Sequence, residues 1–266
     1  MLPNFIGIGV QRAATTWVYN CLSRHPEICL SQKKELHYFT ANFEKGTSWY
    51  EMQFAHHGSE KIVGEISPNY IYHEQAIARM KDLVPDAKLL LVLRDPVDRA
   101  VSAYRFFNHR YPDRTFEQAI EFDPGLIDRS MYAENLKTLW RYFPREQVKV
   151  MFYEDIERTP RKFLRDLFKF LGVDENIQVQ GVQNRYNRQI YPGLQKFLIK
   201  ARLGAVIELV KKTNLGDGIR KSHSQASPPP KAELSSDLSK QLSLRFSEDV
   251  SELEELLSRD LGHWLR

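Results

Sequence analysis

Three groups of residues in this 266-residue chain have types and spacing suited to chemistry. The first is Arg12, Thr15 and Thr16 in GVQRAATTW (9–17), which follows the apolar run FIGIG. A guanidinium and two hydroxyls where a strand gives way to a helix make an anion site, because free backbone N–H groups and the positive end of the helix dipole meet there. The second is Arg94 with Ser102 eight residues on, in LLLVLRDPVDRAVSAY. The arginine closes a buried strand and the serine lies about two turns into the next helix, a small anion site with no need of a metal. The third is Glu35 with His37 in KKELHYF (33–39), a carboxylate and an imidazole able to take and pass a proton. If this piece is extended, Glu35, His37 and Phe39 share one face, with Leu36 and Tyr38 on the other.

A nucleotide with phosphates in two places suits two anion sites, one at each strand end. A triphosphate with magnesium suits them less well. Aligned on Gly9, a G-x-x-x-x-G-K-[ST] loop would have its second glycine at Ala14 and its lysine at Thr15. The acidic residue after the other buried strand, Asp95, follows an arginine that would repel a cation. A magnesium-dependent nucleotide kinase or NTPase is therefore the alternative, and a non-catalytic nucleotide-binding relic is a second; Glu35 and Arg12 count against the relic, which has no need of a base.

These groups must be held by strands and helices in alternation. FIGIGV (5–10), KLLLVL (88–93) and VKVMFY (148–153) are short apolar runs with little alternation, as in strands buried on both faces of a parallel sheet. TTWVYNCLSR (15–24), 73–84, 97–109, 131–143 and 159–173 have helical spacing, with Asp95 and Thr159 as caps, Pro96 and Pro160 in first turns and Gly172 at a C-terminus. The pattern predicts a three-layer α/β/α fold with a central, mainly parallel sheet. Residues 194–212 read as a basic amphipathic piece and 213–230 as a mobile loop. From 231 to 258 a helix carries Leu234, Leu238, Leu242, Phe246, Val250, Leu253 and Leu257 as a core stripe.

Composition narrows the class. With 42% hydrophobic and 12% aromatic residues the chain can bury the core of one domain spanning 1–266. A net charge of +4 suits anionic ligands but is too mild for nucleic-acid binding. Cys21 and Cys29 are too few for a disulfide scaffold, and neither an 18-residue apolar run nor a signal peptide is visible. The expectation is a cytoplasmic protein without a membrane span.

Taken together, RAATTW and the Arg94–Ser102 pair resemble the two donor-binding motifs of sulfotransferases that use 3′-phosphoadenosine-5′-phosphosulfate (PAPS). SRHPEI, KKELHYF, EISPNY, RSMYAENLKTLWRYFP and FYEDI, in that order, are similar to segments of heparan-sulfate-type and bacterial members. The resemblance implies a P-loop-NTPase-like fold and a sulfuryl donor, with the bisphosphate PAP as product and no metal. It implies that Arg12, Ala13, Ala14, Thr15, Thr16 and Trp17 hold the 5′-phosphosulfate, Ala14 standing where the family has glycine and Arg12 where it has lysine. Arg94 and Ser102 would hold the 3′-phosphate. Glu35 would be the catalytic base and His37 its assistant, with Arg12 stabilising the leaving phosphate. Glu65 in GEISPNY would support the site. Tyr132 would touch nucleotide or acceptor, unless it is a packing tyrosine at a helix start, and Arg185, Arg188, Arg220 and Lys221 would close over the 3′-phosphate. The acceptor would be a hydroxyl or amine of a carbohydrate or small molecule.

Overall fold

Five strands pair in the order β2-β3-β1-β4-β5, and every pairing is parallel. They are β1 (Phe5–Gly9), β2 (Ile28–Leu30), β3 (Ile62–Ile66), β4 (Lys88–Leu93) and β5 (Val148–Phe152) in a computed structural model that describes residues 1–182 and 235–265. Along β1 and β3 every residue is buried, which requires cover on both faces of the sheet. Helices α1 (Thr15–Leu22), α2 (Gly46–Met52), α3 (Glu74–Leu83), α4 (Pro96–Phe106), α5 (Phe116–Phe122), α6 (Gly125–Asp128), α7 (Ala133–Tyr142), α8 (Tyr153–Arg158), α9 (Pro160–Leu171) and α10 (Ser236–Leu257) supply it.

The chain runs from β1 outward through β2 and back to β3, then crosses to β4 and β5. The strand order therefore reverses at β1, and in open parallel sheets ligands bind outside the carboxyl ends of the strands at such a switch point. The segments after β1, β2, β3 and β4 carry Arg12, Glu35, Ser67 and Arg94 respectively, so the topology gathers the chemistry-bearing residues at one edge. Close packing at the end of β1 depends on Gly9, where an added Cβ would lie 2.8 Å from Leu91 and 2.7 Å from Ile71.

Local signals explain most boundaries. Asp95 accepts from the N–H groups of Val97 and Asp98 at 2.9 and 3.0 Å, which starts α4 with Pro96 in its first turn. α9 ends at Gly172, whose φ of 80° is left-handed. Thr159 makes no side-chain cap to α9, contrary to expectation; its hydroxyl reaches back to the Asp155 carbonyl instead. The expected helix at 97–109 ends at Phe106, where a short 3₁₀ turn takes over. α10 buries Leu242, Phe246, Val250 and Leu253, and Asp249 on it accepts from Tyr132 and Ala133 N–H, capping α7. The basic piece at 194–212, the loop at 213–230, Leu234, Arg185, Arg188, Arg220 and Lys221 all lie outside the described residues.

Candidate functional site

The loop after β1 is shaped by left-handed backbone. Arg12 has φ 74° and Ala14 φ 57°, conformations that an L-residue with a Cβ adopts at a cost of about 1–2 kcal/mol. Ala14 is the N-cap of α1 and offers no side-chain acceptor, so the first N–H groups of that helix have no partner from the cap. Thr15 and Thr16 stand at this terminus. Ala13 is wholly buried, with its N–H turned inward to the Val10 carbonyl at 3.3 Å. Trp17 faces the interior, its indole N–H donating to the Val182 carbonyl at 2.9 Å and its ring edge-on to Phe163. These two support the loop from behind.

Ser102, expected beside Arg94, bonds Arg12 instead, and Arg94 joins them through the Arg12 backbone. The serine pairs with Arg12, whose Nε donates to Ser102 Oγ at 3.1 Å. Arg94 donates to the Arg12 carbonyl at 3.0 Å, lies over the Tyr153 ring and approaches Asp98 at 3.8 Å. Its Nε is buried and has no hydrogen-bond partner among the described residues. An orphan buried donor is costly, and a phosphate oxygen is the kind of group that satisfies it. Burial first, then the charges of Arg94 and Arg99, lower the Arg12 pKa to about 10. Arg12 is thus still a cation at neutral pH, with the Glu35 charge partly offsetting those of the arginines. Phe106 stacks on its guanidinium at 4.2 Å.

Arg99 is a third arginine that sequence reasoning passed over. It is wholly buried on α4, donating to Ser130 Oγ and the Leu126 carbonyl. It lies between Arg94 and Ser102 in the same stretch, but as a helix-interior arginine it gave no signal of its own. Tyr132 is likewise buried, with its O–H on the Arg94 carbonyl at 2.8 Å and its ring against Trp264. The direct contact expected of Tyr132 with nucleotide or acceptor therefore gives way to packing, and it acts by holding the backbone of Arg94.

Glu35 and His37 are together, but not because the segment is extended. Both have positive φ, 66° and 50°, so strand alternation does not apply, and Phe39 lies in the core with Leu36 and Tyr38 rather than on the Glu35 face. The imidazole Nε2 is 3.6 Å from one Glu35 oxygen, while Lys34 Nζ bonds the other at 2.5 Å. Burial alone would raise the Glu35 pKa, but hydrogen bonds from His37 and Lys34 and their charges outweigh it and hold it at about 2. Lys34 is driven down by its own burial and held charged by Glu35. The result is an ionised carboxylate close enough to Arg12 for their charges to interact. Glu65, expected nearby, is buried beneath this loop and bonded to Tyr50, Tyr70 and Ser67. No group of three or more His, Cys, Asp or Glu side chains converges as a metal site among the described residues.

Comparison with known proteins gives the same picture. A family model described as a sulfotransferase domain matches residues 2–192. The chain is similar to the membrane-associated sulfotransferase kil1 of Dictyostelium discoideum, with 40% identity across 65% of this chain and 56% of that protein. It is also similar to heparan sulfate glucosamine 3-O-sulfotransferase 3B1 of Mus musculus, with 32% identity across 65% of this chain and 46% of that one. It thus spans about half the length of the curated relatives it matches. Among solved structures, a sulfotransferase from Alicyclobacillus acidocaldarius is 26% identical and superposes with a TM-score of 0.74, the match covering 100% of both chains.

Proposed function

This chain belongs to the sulfotransferase family, and from that premise we propose that it transfers the sulfuryl group of PAPS to a carbohydrate hydroxyl, or to a hydroxyl or amine of a small molecule. The observation that carries the reading is the pairing of two cationic sites at the switch point. Arg12 and the α1 N-terminus are one; Arg94, with its orphan Nε, is the other. Two such sites side by side suit a nucleotide phosphorylated at both its 3′ and 5′ positions. Ionised Glu35 supplies the third requirement, an acceptor for the nucleophile's proton.

In this reading Arg94 and Ser102 hold the 3′-phosphate. Arg12 and the N–H groups at Thr15 and Thr16 face the 5′ group. Arginine does not give up its proton at neutral pH, so Arg12 acts on the leaving phosphate electrostatically. The acceptor O–H or N–H loses its proton to Glu35 as the new bond to sulfur forms and the bond from sulfur to the leaving phosphate breaks. His37 orients the carboxylate. A carbohydrate acceptor is favoured by the heparan sulfate relatives, which act on such substrates by name. A cytoplasmic location belongs to the same proposal; Cys21 and Cys29 are unpaired thiols, and no described helix is long and apolar enough to cross a membrane.

The test is a screen of carbohydrates and small phenols and amines with PAPS labelled in its sulfuryl group, run beside PAP calorimetry. We expect label transfer to at least one acceptor class and PAP binding that needs no magnesium. Glu35→Gln should lower transfer by roughly 10²–10⁴-fold with the PAP Kd within about threefold of wild type. Unchanged transfer by Glu35→Gln removes that residue from the mechanism, and binding of ATP with magnesium but not of PAP refutes the donor.

A further inference from the structure

The loop that carries Glu35 and His37 is gripped from below by the end of β3. Two N–H groups are taken up there. Glu35 N donates to the Ile66 carbonyl at 3.1 Å and His37 N donates to Ser67 Oγ at 3.2 Å. The Ser67 hydroxyl, which accepts from His37, donates in turn to Glu65 Oε2 at 2.6 Å. A hydroxyl has one donor and two lone pairs, so it can do both at once. Ser67 N donates to the Gly7 carbonyl at 2.9 Å. The grip is thus anchored on β1, the strand that leads into the Arg12 loop.

Glu65 itself is wholly buried. Tyr50 and Tyr70 hydroxyls donate to its Oε1 at 2.8 and 2.9 Å, and the rings of Tyr38 and Tyr50 stack at 4.0 Å beside them. Burial pushes the Glu65 pKa up, against the hydrogen bonds from Ser67 and the tyrosines. A buried carboxylate that takes three hydroxyl donors is an expensive way to fill a core. Left-handed residues such as Glu35 and His37 persist only where their surroundings over-determine them. One arrangement accounts for both facts.

We propose that Glu65 and Ser67 are positioning residues for this site: they fix the left-handed turn at Glu35 and His37 that brings those two side chains together against Lys34. Neither touches a reactant. The proposal rests on the reading of Glu35 as the proton acceptor, but its geometry is tested apart from turnover.

The readout is the Glu35 carboxyl signal in ¹³C NMR of the full chain between pH 4 and 7, assigned by its loss in Glu35→Gln. With its pKa near 2, wild-type Glu35 is less than about 1% protonated at pH 4.5. Ser67→Ala frees the His37 N–H, and the loop should relax away from the His37 and Lys34 contacts. Its Glu35 midpoint should climb toward the ordinary value of 4.5, so that about half is protonated at pH 4.5. Ser130→Ala is the control: it removes an equally buried serine hydroxyl, bonded to Arg99 and the Pro96 carbonyl, and should leave the Glu35 signal in place. A folded Ser67→Ala protein with the wild-type titration overturns the proposal, as does an equal shift in Ser130→Ala. If Ser67→Ala does not fold, Ser67→Cys, of similar size and a weaker acceptor, is held to the same two outcomes. PAP calorimetry separates the two readings: a wild-type chain that fails to bind PAP refutes the sulfotransferase assignment, whereas the NMR result decides the grip.

Discussion

The backbone at Ala13 and Ala14 makes a contrast that a pair of glycine substitutions can read. Both alanines are buried, at 0% and 5% exposure, so each loses a similar methyl contact when replaced, about 0.8 kcal/mol. Each glycine also adds about 0.4–1 kcal/mol of unfolded-chain entropy. Those losses sum to about 1.2–1.8 kcal/mol at Ala13, which has no left-handed φ to relieve. At Ala14, with φ 57°, glycine recovers about 1–2 kcal/mol of backbone strain, leaving a net change near zero. For a chain of this size each kcal/mol moves Tm by about 2–4 °C. Ala13→Gly should therefore lower Tm by about 2–7 °C, while Ala14→Gly stays within about 3 °C of wild type. Thermal melts followed by calorimetry, without nucleotide, measure the difference directly. Equal losses would mean that Ala14 is not held left-handed, and the picture of α1 opening toward an anion with its first N–H groups uncapped would fail with it.

Two further predictions address charge. Arg94→Ala should weaken PAP binding by about 10–150-fold, the range for a hydrogen bond to a charged group, with much less effect on adenosine 5′-phosphate; calorimetry showing equal losses removes the 3′-phosphate from Arg94. Burial, followed by the charges of Asp98 and Glu154, raises the Asp95 pKa from 3.8 to about 6. A carboxyl with a raised folded-state pKa contributes stability below its unfolded value and loses it as pH rises through about 6. Asp95→Asn, which keeps an oxygen for the Val97 and Asp98 N–H groups, should raise Tm more at pH 7.5 than at pH 5, and a gain independent of pH contradicts the shift.

What the sequence made legible follows the physics of each signal. β1, β4 and β5 read clearly because their apolar runs are long enough to exclude other periodicities. β2 has only three residues, and β3 carries Gly64 and Glu65 in mid-strand, which breaks the run. The carboxylate that interrupted β3 is the one that grips the Glu35 loop, so the signal that hid the strand was itself informative. Glu35 and His37 were correctly paired from their types, yet from the wrong geometry, since no one-dimensional rule anticipates two left-handed non-glycine residues two apart. Ser102 was placed near Arg94 by helical spacing, but which arginine it would bond depended on the turn of the Arg12 loop. Tyr132 could be read from sequence either as a ligand contact or as a packing tyrosine, because the residues that settle it, Asp249 and Trp264, lie more than 100 positions away.

The Ser102 contact also bears on why an arginine suits position 12 of this loop. Arginine has five N–H donors spread over three nitrogens. Arg12 commits Nε to Ser102 and keeps its terminal nitrogens for an anion. Lysine carries its three donors on one atom and could not reach two partners so far apart. Ser102, in accepting from Arg12, uses a lone pair and keeps its O–H, so it remains able to donate to a phosphate oxygen. The contact therefore does not compete with nucleotide binding. It ties the group expected to meet the 5′ end of the donor to the group expected to meet its 3′-phosphate, and Arg94, bonded to the Arg12 carbonyl, closes the same link through the backbone. A bound nucleotide would meet one connected unit rather than two independent sites, with the reacting end and the specificity-giving end fixed relative to each other before binding.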